Sequence, residues 1–296
     1  MDLVWTLLGI ALIAIALRDI FEVLFHPLGR GIIARRVVLG VSWLVRRLPG
    51  GSGTIGLLAG PIGYAAAVAT WAALLAVGWA LIFMPQLPEG FVFDSELDPA
   101  AHSGFVDALY VSLVNLTSLG YGDISPGSPL LKLLGPVETM FGLGLLTASI
   151  SWLISIYSAI SRRDSLAHEV YLAKQAEERL GEKLADADPE LLEQMLDSFA
   201  EQLIRVRRDV IHFPITHYFR TEDEERALAG LLPFLSSMAE EAGEEGRPVS
   251  LRVRAEILQE TIGDFAETLR ARLRLSGETT DDTLQHYQSD HGPLGS

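Results

Sequence analysis

Three long apolar segments in the first 160 residues constrain the fold more than any other feature. Ile62–Phe83 contains 22 consecutive uncharged residues. As a helix it would be about 33 Å long, which matches the hydrocarbon core of a bilayer. Leu3–Leu17 contains 15 residues without a charge, and Leu130–Ile160 contains 31 residues, more than one crossing needs. The sequence therefore predicts an all-α membrane protein with three transmembrane helices.

The two halves of the chain differ in charge. Residues 1–160 carry 7 Lys and Arg against 10 Asp and Glu, whereas residues 161–296 carry 16 against 28. A charged, acidic second half predicts an aqueous domain after the membrane domain. Nucleic acid is not expected as a partner, because phosphate binding needs clustered basic residues. The chain has no cysteine, which excludes disulfides and cysteine metal sites.

Basic residues predict the orientation in the membrane. The linker between Pro27 and Pro61 contains no acidic residue and five arginines, Arg30, Arg35, Arg36, Arg46 and Arg47. The loop between Pro85 and Ser103 contains four acidic residues and no basic one. By the positive-inside bias, we expect a multi-pass protein of the cell membrane with the N-terminus outside and the C-terminal half cytoplasmic. Four of the arginines share a third of a helical wheel, so the linker is predicted to hold an interfacial amphipathic helix.

A short helical segment and a glycine-rich loop lie between the second and third apolar segments. Gly104–Thr117, "GFVDALYVSLVNLT", would reach about 21 Å as a helix, which is short of a crossing. It is followed by "SLGYGD", in which Gly120 and Gly122 permit backbone conformations closed to other residues. Irregular backbone at membrane depth is tolerated only where protein buries it or where it lines a water-filled path. We therefore expect a re-entrant half-helix and loop.

This order of short helix, Thr-Ser-Leu-Gly-Tyr-Gly-Asp and long helix resembles the pore module of the potassium-channel family, over about residues 62–160. The resemblance implies that four subunits form a homotetramer in the lipid bilayer. It also implies that potassium ions, and no other cofactor, bind at Ser118, Leu119, Gly120 and Tyr121. Carbonyl groups would come from five residues, Ser118, Leu119, Gly120, Tyr121 and Gly122.

The resemblance also assigns residues around this filter. Tyr110, Thr117, Asp123 and Glu138 are expected to support it, although Glu138 could instead reach the membrane interface. Many relatives carry a pore-helix carboxylate that supports the aspartate, whereas the matching turn here has Val114 and Asn115. Two glycines of the inner helix are candidates for a gating hinge or, alternatively, for close helix packing, namely Gly142 and Gly144.

A second candidate site lies at the end of the first apolar segment. Asp19, Glu22 and His26 are spaced i, i+3 and i+7, so they share one helical face. Ionisable groups inside a membrane are functional candidates, here for sensing protons or binding a cation. Pairing with Arg18 or the linker arginines is the structural alternative.

The second half is predicted to be a helical bundle, because apolar residues recur at helical spacing and strand patterns are nearly absent. Its ligand or protein partner is unknown. The predicted segments are residues 1–27 (first transmembrane helix), 28–61 (cytoplasmic linker with interfacial helix), 62–160 (pore module), 161–275 (cytoplasmic helical domain) and 276–296 (disordered tail). Within the pore module they are residues 62–84 (outer helix), 85–103 (extracellular loop), 104–117 (pore helix), 118–122 (filter) and 130–160 (inner helix).

The predicted function is passive, potassium-selective conduction by a homotetramer, gated by the inner helix and the helical domain. A potassium-transport subunit that needs a regulatory partner is one alternative. A non-conducting membrane sensor with a pore-like fold is the other. We do not expect an enzyme, because no nucleophile–base pattern stands out in the second half.

Overall fold

The structure is a computed structural model that describes residues 2–24, 31–47, 58–219, 223, 225, 227–273 and 279–291. Contacts among them define two compact units. One unit comprises Met1–Leu39 and Gly63–Ile154, and the other comprises Gly40–Ile62 and Ser155–Ser296.

Nine α-helices account for most of the described chain. They are α1 (Asp2–Leu24), α2 (Ile32–Arg47), α3 (Ala59–Phe83), α4 (Phe105–Leu116), α5 (Pro129–Leu180), α6 (Pro189–His212), α7 (Leu228–Ala242), α8 (Val249–Leu273) and α9 (Thr280–His291). Among the described helices, Ala59–Gln86 and Pro129–Leu180 are long and apolar enough to cross a membrane. The crossing by α1 stays a prediction.

A small antiparallel ribbon joins the two loops that flank α4. Strand β1 (Phe91–Phe93) pairs with β2 (Ile124–Pro126), so that Phe91 lies opposite Pro126. The strands were not expected from the sequence, because three residues are too short to show an alternating pattern. Their pairing ties the segment after the glycine loop to the segment before α4.

Helices α1 and α3 approach closely where two glycines meet. A Cβ atom on Gly9 would lie 2.4 Å from the main-chain oxygen of Gly78, and one on Gly78 would lie 3.0 Å from the oxygen of Gly9. Small residues at such contacts let helix backbones approach, which is how helices associate in lipid without a hydrophobic driving force. Around this contact, the first unit buries Ile13, Ala16 and Trp71.

Helix α5 extends beyond the predicted inner helix. It is expected to end near Ile160 but continues to Leu180, because nothing in the intervening sequence breaks a helix. It ends at Gly181, whose φ of 67° is the left-handed conformation that commonly terminates helices. Leu166 and Val170 of α5 belong to the core of the second unit, so one helix contributes to both units.

The second unit is built around two helices that run parallel. Polar contacts join residues of α6 to residues of α8 that lie 57 positions later in the sequence. Ser250 Oγ lies 2.5 Å from Glu193, and four residues further along both helices Arg254 Nε lies 2.8 Å from Asp197. Helices α7 and α9 complete the core, and the fully buried side chains include Phe199, Leu203, Leu232 and Phe265.

The expected disorder of residues 276–296 is corrected over Thr280–His291, which forms α9. Its start is a reciprocal cap, in which Thr279 Oγ1 accepts from the Asp282 N–H at 3.1 Å and Asp282 Oδ2 accepts from the Thr279 N–H at 3.2 Å. Leu284 and Tyr287 are buried, and Tyr287 meets the ring of Phe265 edge-on at 6.1 Å. The helix persists because it buries apolar surface. The flanking residues 274–278 and 292–296 lie outside the described chain.

The Gly9 contact leads to a stability prediction. Substitution Gly9→Ala should lower the free energy of unfolding by about 1–3 kcal/mol, because the added methyl group overlaps the Gly78 carbonyl and separates the helices. Thermal unfolding in detergent, followed by tryptophan fluorescence, measures this. Gly40→Ala in α2 is the control, since its Cβ meets no atom within 4 Å. Equal stability of the two variants would contradict the predicted contact.

Candidate functional site

Helix α4 is capped at both ends by its own sequence. At its start, Asp107 accepts from the Gly104 N–H at 3.1 Å and lies 2.8 Å from His102 Nδ1. At its end, the Ser118 N–H donates to Asn115 O and the Leu119 N–H donates to Val114 O, both at 3.0 Å. These two bonds form the Schellman motif, which requires a left-handed residue after the helix. Here that residue is Ser118, with φ 60°.

The loop after α4 alternates in backbone handedness. Ser118, Gly120 and Gly122 have φ of 60°, 57° and 82°, whereas Leu119 and Tyr121 between them are outside the left-handed region. In an extended strand successive carbonyl groups point to opposite sides, and alternating handedness instead permits them to point to one side. The side chains of Leu119 and Tyr121 are 58% and 67% exposed in the single chain. The loop can therefore offer a row of main-chain oxygens.

Ser118 carries the left-handed conformation that ends α4. This conformation is costly for any residue with a Cβ atom and most costly for β-branched residues. Serine supplies a hydroxyl group at this position without a branched Cβ substituent that would add a methyl group.

The C-terminal end of the loop is held by Asp123. Its Oδ2 accepts from the Tyr110 hydroxyl at 2.6 Å, and its main-chain oxygen accepts from the Asp94 N–H at 2.8 Å. Tyr110 lies on α4, so this helix supports the aspartate with a phenol hydroxyl group. The β1–β2 ribbon continues directly from this point. Both ends of the loop are thus bonded to α4 or to the segments that flank it.

Helix α5 packs against the C-terminal half of α4. Glu138 is fully buried, and its two oxygens lie 2.5 Å from Ser112 Oγ and 3.1 Å from Asn115 Nδ2. One residue further, the Thr139 hydroxyl donates to Asn115 O at 3.0 Å. One turn further, a Cβ atom on Gly142 would lie 1.9 Å from the main-chain oxygen of Leu116. We call the contacts that Glu138, Thr139 and Gly142 make with residues of α4 the α4 seat.

The α4 seat bears on several predicted roles. Glu138 contacts α4 rather than the filter itself, and it does not reach the surface of the chain. Gly142 is in tight packing contact with the end of α4, which matches the packing alternative for this glycine. Gly144 has open space around it within the described chain. The Thr117 hydroxyl donates to Leu113 O of its own helix at 2.6 Å.

Sequence reasoning missed Ser112 and Thr139 as members of the seat. Ser112 is fully buried, and its Oγ also lies 3.0 Å from Ala76 O of α3. It therefore joins α4 to both α3 and α5. The available signal was the spacing of Ser112 and Asn115, which places two donors on one face of an otherwise apolar helix.

Asp19 and Glu22, the two described residues of the second predicted site, bond to different partners. Asp19 is buried and accepts from the N–H groups of Ile33 and Ala34 at 2.9 and 3.0 Å, and from Trp71 Nε1 at 2.9 Å. It therefore caps the N-terminus of α2. Glu22 instead pairs with Arg18 at 2.8 Å. His26 lies outside the described residues, and among those described no group of three or more His, Asp or Glu could hold a metal ion.

The α4 seat leads to a second stability prediction. Glu138→Ala should lower the free energy of unfolding by about 1–3 kcal/mol, because the part-buried Asn115 amide loses its acceptor and the fully buried Ser112 loses a hydrogen-bond partner. Glu138→Gln retains one acceptor oxygen and should cost less. Glu96→Ala, on an exposed loop residue, is the control. Thermal unfolding in detergent compares the stability of the three variants. An equal loss of stability in the alanine and glutamine variants would argue against the role of Glu138 as an acceptor.

Comparison with known proteins supports the channel resemblance. The sequence profile of a family described as "Ion channel" matches residues 69–159, which include α4, the loop and the first part of α5. A protein of Bacillus subtilis (strain 168), named "Uncharacterized membrane protein YdjJ", is 27% identical over 190 residues, which cover 63% of this chain. The match spans 54% of that relative's own length. No solved structure shows a significant match. Residues 69–159 therefore match an ion-channel family, which supports the predicted relationship of this segment to the potassium-channel pore-loop family.

Proposed function

We propose that four copies of the chain form a potassium-selective channel that conducts passively through main-chain carbonyl groups of Ser118–Gly122. The observation that carries the proposal is the alternating handedness of this loop between the Schellman cap of α4 and the Asp123 anchor. Main-chain oxygens arranged in a ring can replace the hydration shell of a cation. The hydroxyl group of Ser118 would add the innermost oxygen.

The proposed tetramer is based on the number of carbonyl groups that one loop supplies. A single chain offers one carbonyl at each level of the filter, whereas a dehydrated cation needs a ring of oxygens, which four copies provide. Closed symmetry repeats the loop around one axis. Apolar side chains that are exposed in the single chain recur along α5 at helical spacing and are available for contacts between copies or with lipid, namely Leu133, Val137, Met140 and Leu143.

The proposed topology has three crossings, by α1, α3 and the first part of α5. The arginine-rich α2 would lie at the cytoplasmic surface, where Arg47 stacks over the Trp43 ring at 3.9 Å. Arginine and tryptophan side chains suit the headgroup region of a bilayer. The N-terminus would then be outside, and the helical second unit would be cytoplasmic.

The second unit is proposed to control the pore through α5. Arg162 of α5 makes a two-pronged bond to buried Asp209 of α6 at 2.7 and 2.9 Å. Arg163 donates to the main-chain oxygens of Thr216 and Phe219 at 3.3 and 3.1 Å. These bonds hold the same helix that forms the α4 seat, so a movement of α6 would act on α5 directly.

Conduction is tested with the full-length protein purified and reconstituted in liposomes. We expect barium-sensitive potassium flux with little sodium flux. Gly120→Ala should abolish the potassium flux, because alanine in a left-handed conformation costs about 1–2 kcal/mol and the substitution occurs four times in each proposed filter. Gly263→Ala in α8, with open space around its Cβ, is the control.

The outcome separates the alternatives. Flux that requires a second protein would favour the transport subunit. A folded, tetrameric protein without flux, with or without residues 161–296, would overturn the channel proposal in favour of a sensor.

Control of the pore is tested by single-channel recording. Arg162→Gln and Asp209→Asn should each change the open probability at least about threefold without changing the conductance, since the filter is remote in sequence from this pair. The double variant should show no further change, because both residues belong to one interaction. Arg254→Gln removes a surface pair with Asp197 in the same unit and should have no effect. Additive effects of the first two variants would contradict the coupling.

A further inference from the structure

Helix α2 has an exposed face that carries both large apolar side chains and arginines. Every exposed position of this helix that the structure describes is apolar, glycine or arginine. Its large apolar side chains are between 43% and 56% exposed, namely Ile32, Leu39, Trp43 and Leu44. Its exposed arginines are Arg35, Arg36 and Arg47. Most of these residues recur at intervals of three or four, so they share one side of the helix, which we call the α2 face.

The opposite side of α2 is held by two apolar helices. Asp19 of α1 accepts from the N–H groups of Ile33 and Ala34, and a Cβ atom on Gly63 of α3 would lie 3.4 Å from Val38 Cγ1. Asp19 lies five residues before the end of α1, and Gly63 lies four residues after the start of α3. Helix α2 is therefore attached near the two helix ends that the linker arginines predict to be cytoplasmic.

The arginines of the α2 face lack acidic partners. Arg35 and Arg36 form no hydrogen bond or ion pair with any residue that the structure describes, and the guanidinium group of Arg47 lies over the Trp43 ring. Exposed arginines of the second unit instead pair with carboxylates, as Arg205 does with Glu201. Unpaired guanidinium groups on an exposed surface favour an external anion, and their planar geometry suits phosphate oxygens.

The apolar residues of the α2 face distinguish between sources of phosphate. A soluble phosphate compound would leave Leu39 and Trp43 in water. The surface of a bilayer covers apolar side chains of this kind and brings phosphate groups to the depth of the neighbouring arginines. Anionic phospholipids add a net attraction for each basic residue near the surface, whereas the choline group of phosphatidylcholine cancels the charge of its phosphate.

We infer that the α2 face binds the bilayer surface with a preference for anionic phospholipids. Arg35 and Arg36 bind headgroup phosphates, and Leu39 and Trp43 lie at the adjoining boundary of the acyl chains. The inference rests on the proposed membrane position of α2 and extends it by naming the class of lipid. It does not depend on potassium conduction.

The lipid preference is tested with the full-length protein, delipidated in detergent and titrated with dioleoyl phosphatidylglycerol or dioleoyl phosphatidylcholine, with native mass spectrometry as the readout. The wild-type protein should bind the anionic lipid at least about tenfold more tightly, since each basic residue near the lipid contributes about fivefold. Arg35→Gln combined with Arg36→Gln should lower this preference at least about fivefold.

Two matched variants serve as controls. Arg35→Lys combined with Arg36→Lys keeps both charges and should retain most of the preference. Arg205→Gln combined with Arg252→Gln removes two exposed arginines of the second unit and should retain all of it.

Contact with the bilayer is tested separately with a spin label, because the chain has no cysteine and a single one can be introduced. In liposomes of the two lipids, a label on Leu39→Cys should be relaxed more strongly by oxygen, which concentrates in the bilayer, than by a water-soluble nickel complex. A label on Glu256→Cys, at an exposed position of α8, should show the opposite order.

Each failure has a distinct meaning. Equal binding of the two lipids by the wild-type protein would overturn the inference. A preference that survives Arg35→Gln with Arg36→Gln would also overturn it, and loss of the oligomer in that variant would instead indicate that the arginines contact acidic residues of a second copy. A Leu39→Cys label that behaves like the Glu256→Cys label would overturn both the inference and the proposed position of α2. Potassium flux in the same liposomes separates these outcomes from a failure of the channel proposal.

Discussion

The seat of α4 on α5 is the contact on which the rest of the pore domain depends. A loop with irregular backbone can lie within a membrane only if protein satisfies and buries the side that does not face water. Glu138 and Thr139 bond to the last turns of α4, and Gly142 allows the α5 backbone to reach the end of α4. The cap of α4 takes the N–H groups of Ser118 and Leu119, and it uses none of the carbonyl groups that the proposed filter needs.

The same helix links the pore domain to the second unit. Helix α5 forms the α4 seat in its first turns and contributes Leu166 and Val170 to the second core. A continuous helix transmits displacement along its axis, and the paired Arg162 and Asp209 fix one point of it to α6. In the proposed channel, a ligand or partner that binds two positions of α6 with different affinity would bias the pore without contacting it.

Much of the architecture could be predicted because its signals are local. The uncharged run of α3, the short length of α4 and the glycines at 120 and 122 each restrict the backbone by themselves. Predictions were weaker where order depends on contacts distant in sequence. Residues 280–291 look polar and were expected to be disordered, yet Leu284 and Tyr287 find a buried surface formed by other helices. The cap formed by Thr279 and Asp282 is a local signal for the start of this helix.

By itself, the sequence determined which segments suit a bilayer and where the backbone must leave helical geometry, and it predicted which residues would supply carbonyl groups to a cation. Hydrophobic length and glycine conformation decide these features within a single segment. Only the tertiary structure decided that Glu138 bonds α4, that Tyr110 bonds Asp123, and that Asp19 caps α2. These pairings join residues from different helices, and a buried polar group is constrained by whichever partner the packing brings within reach.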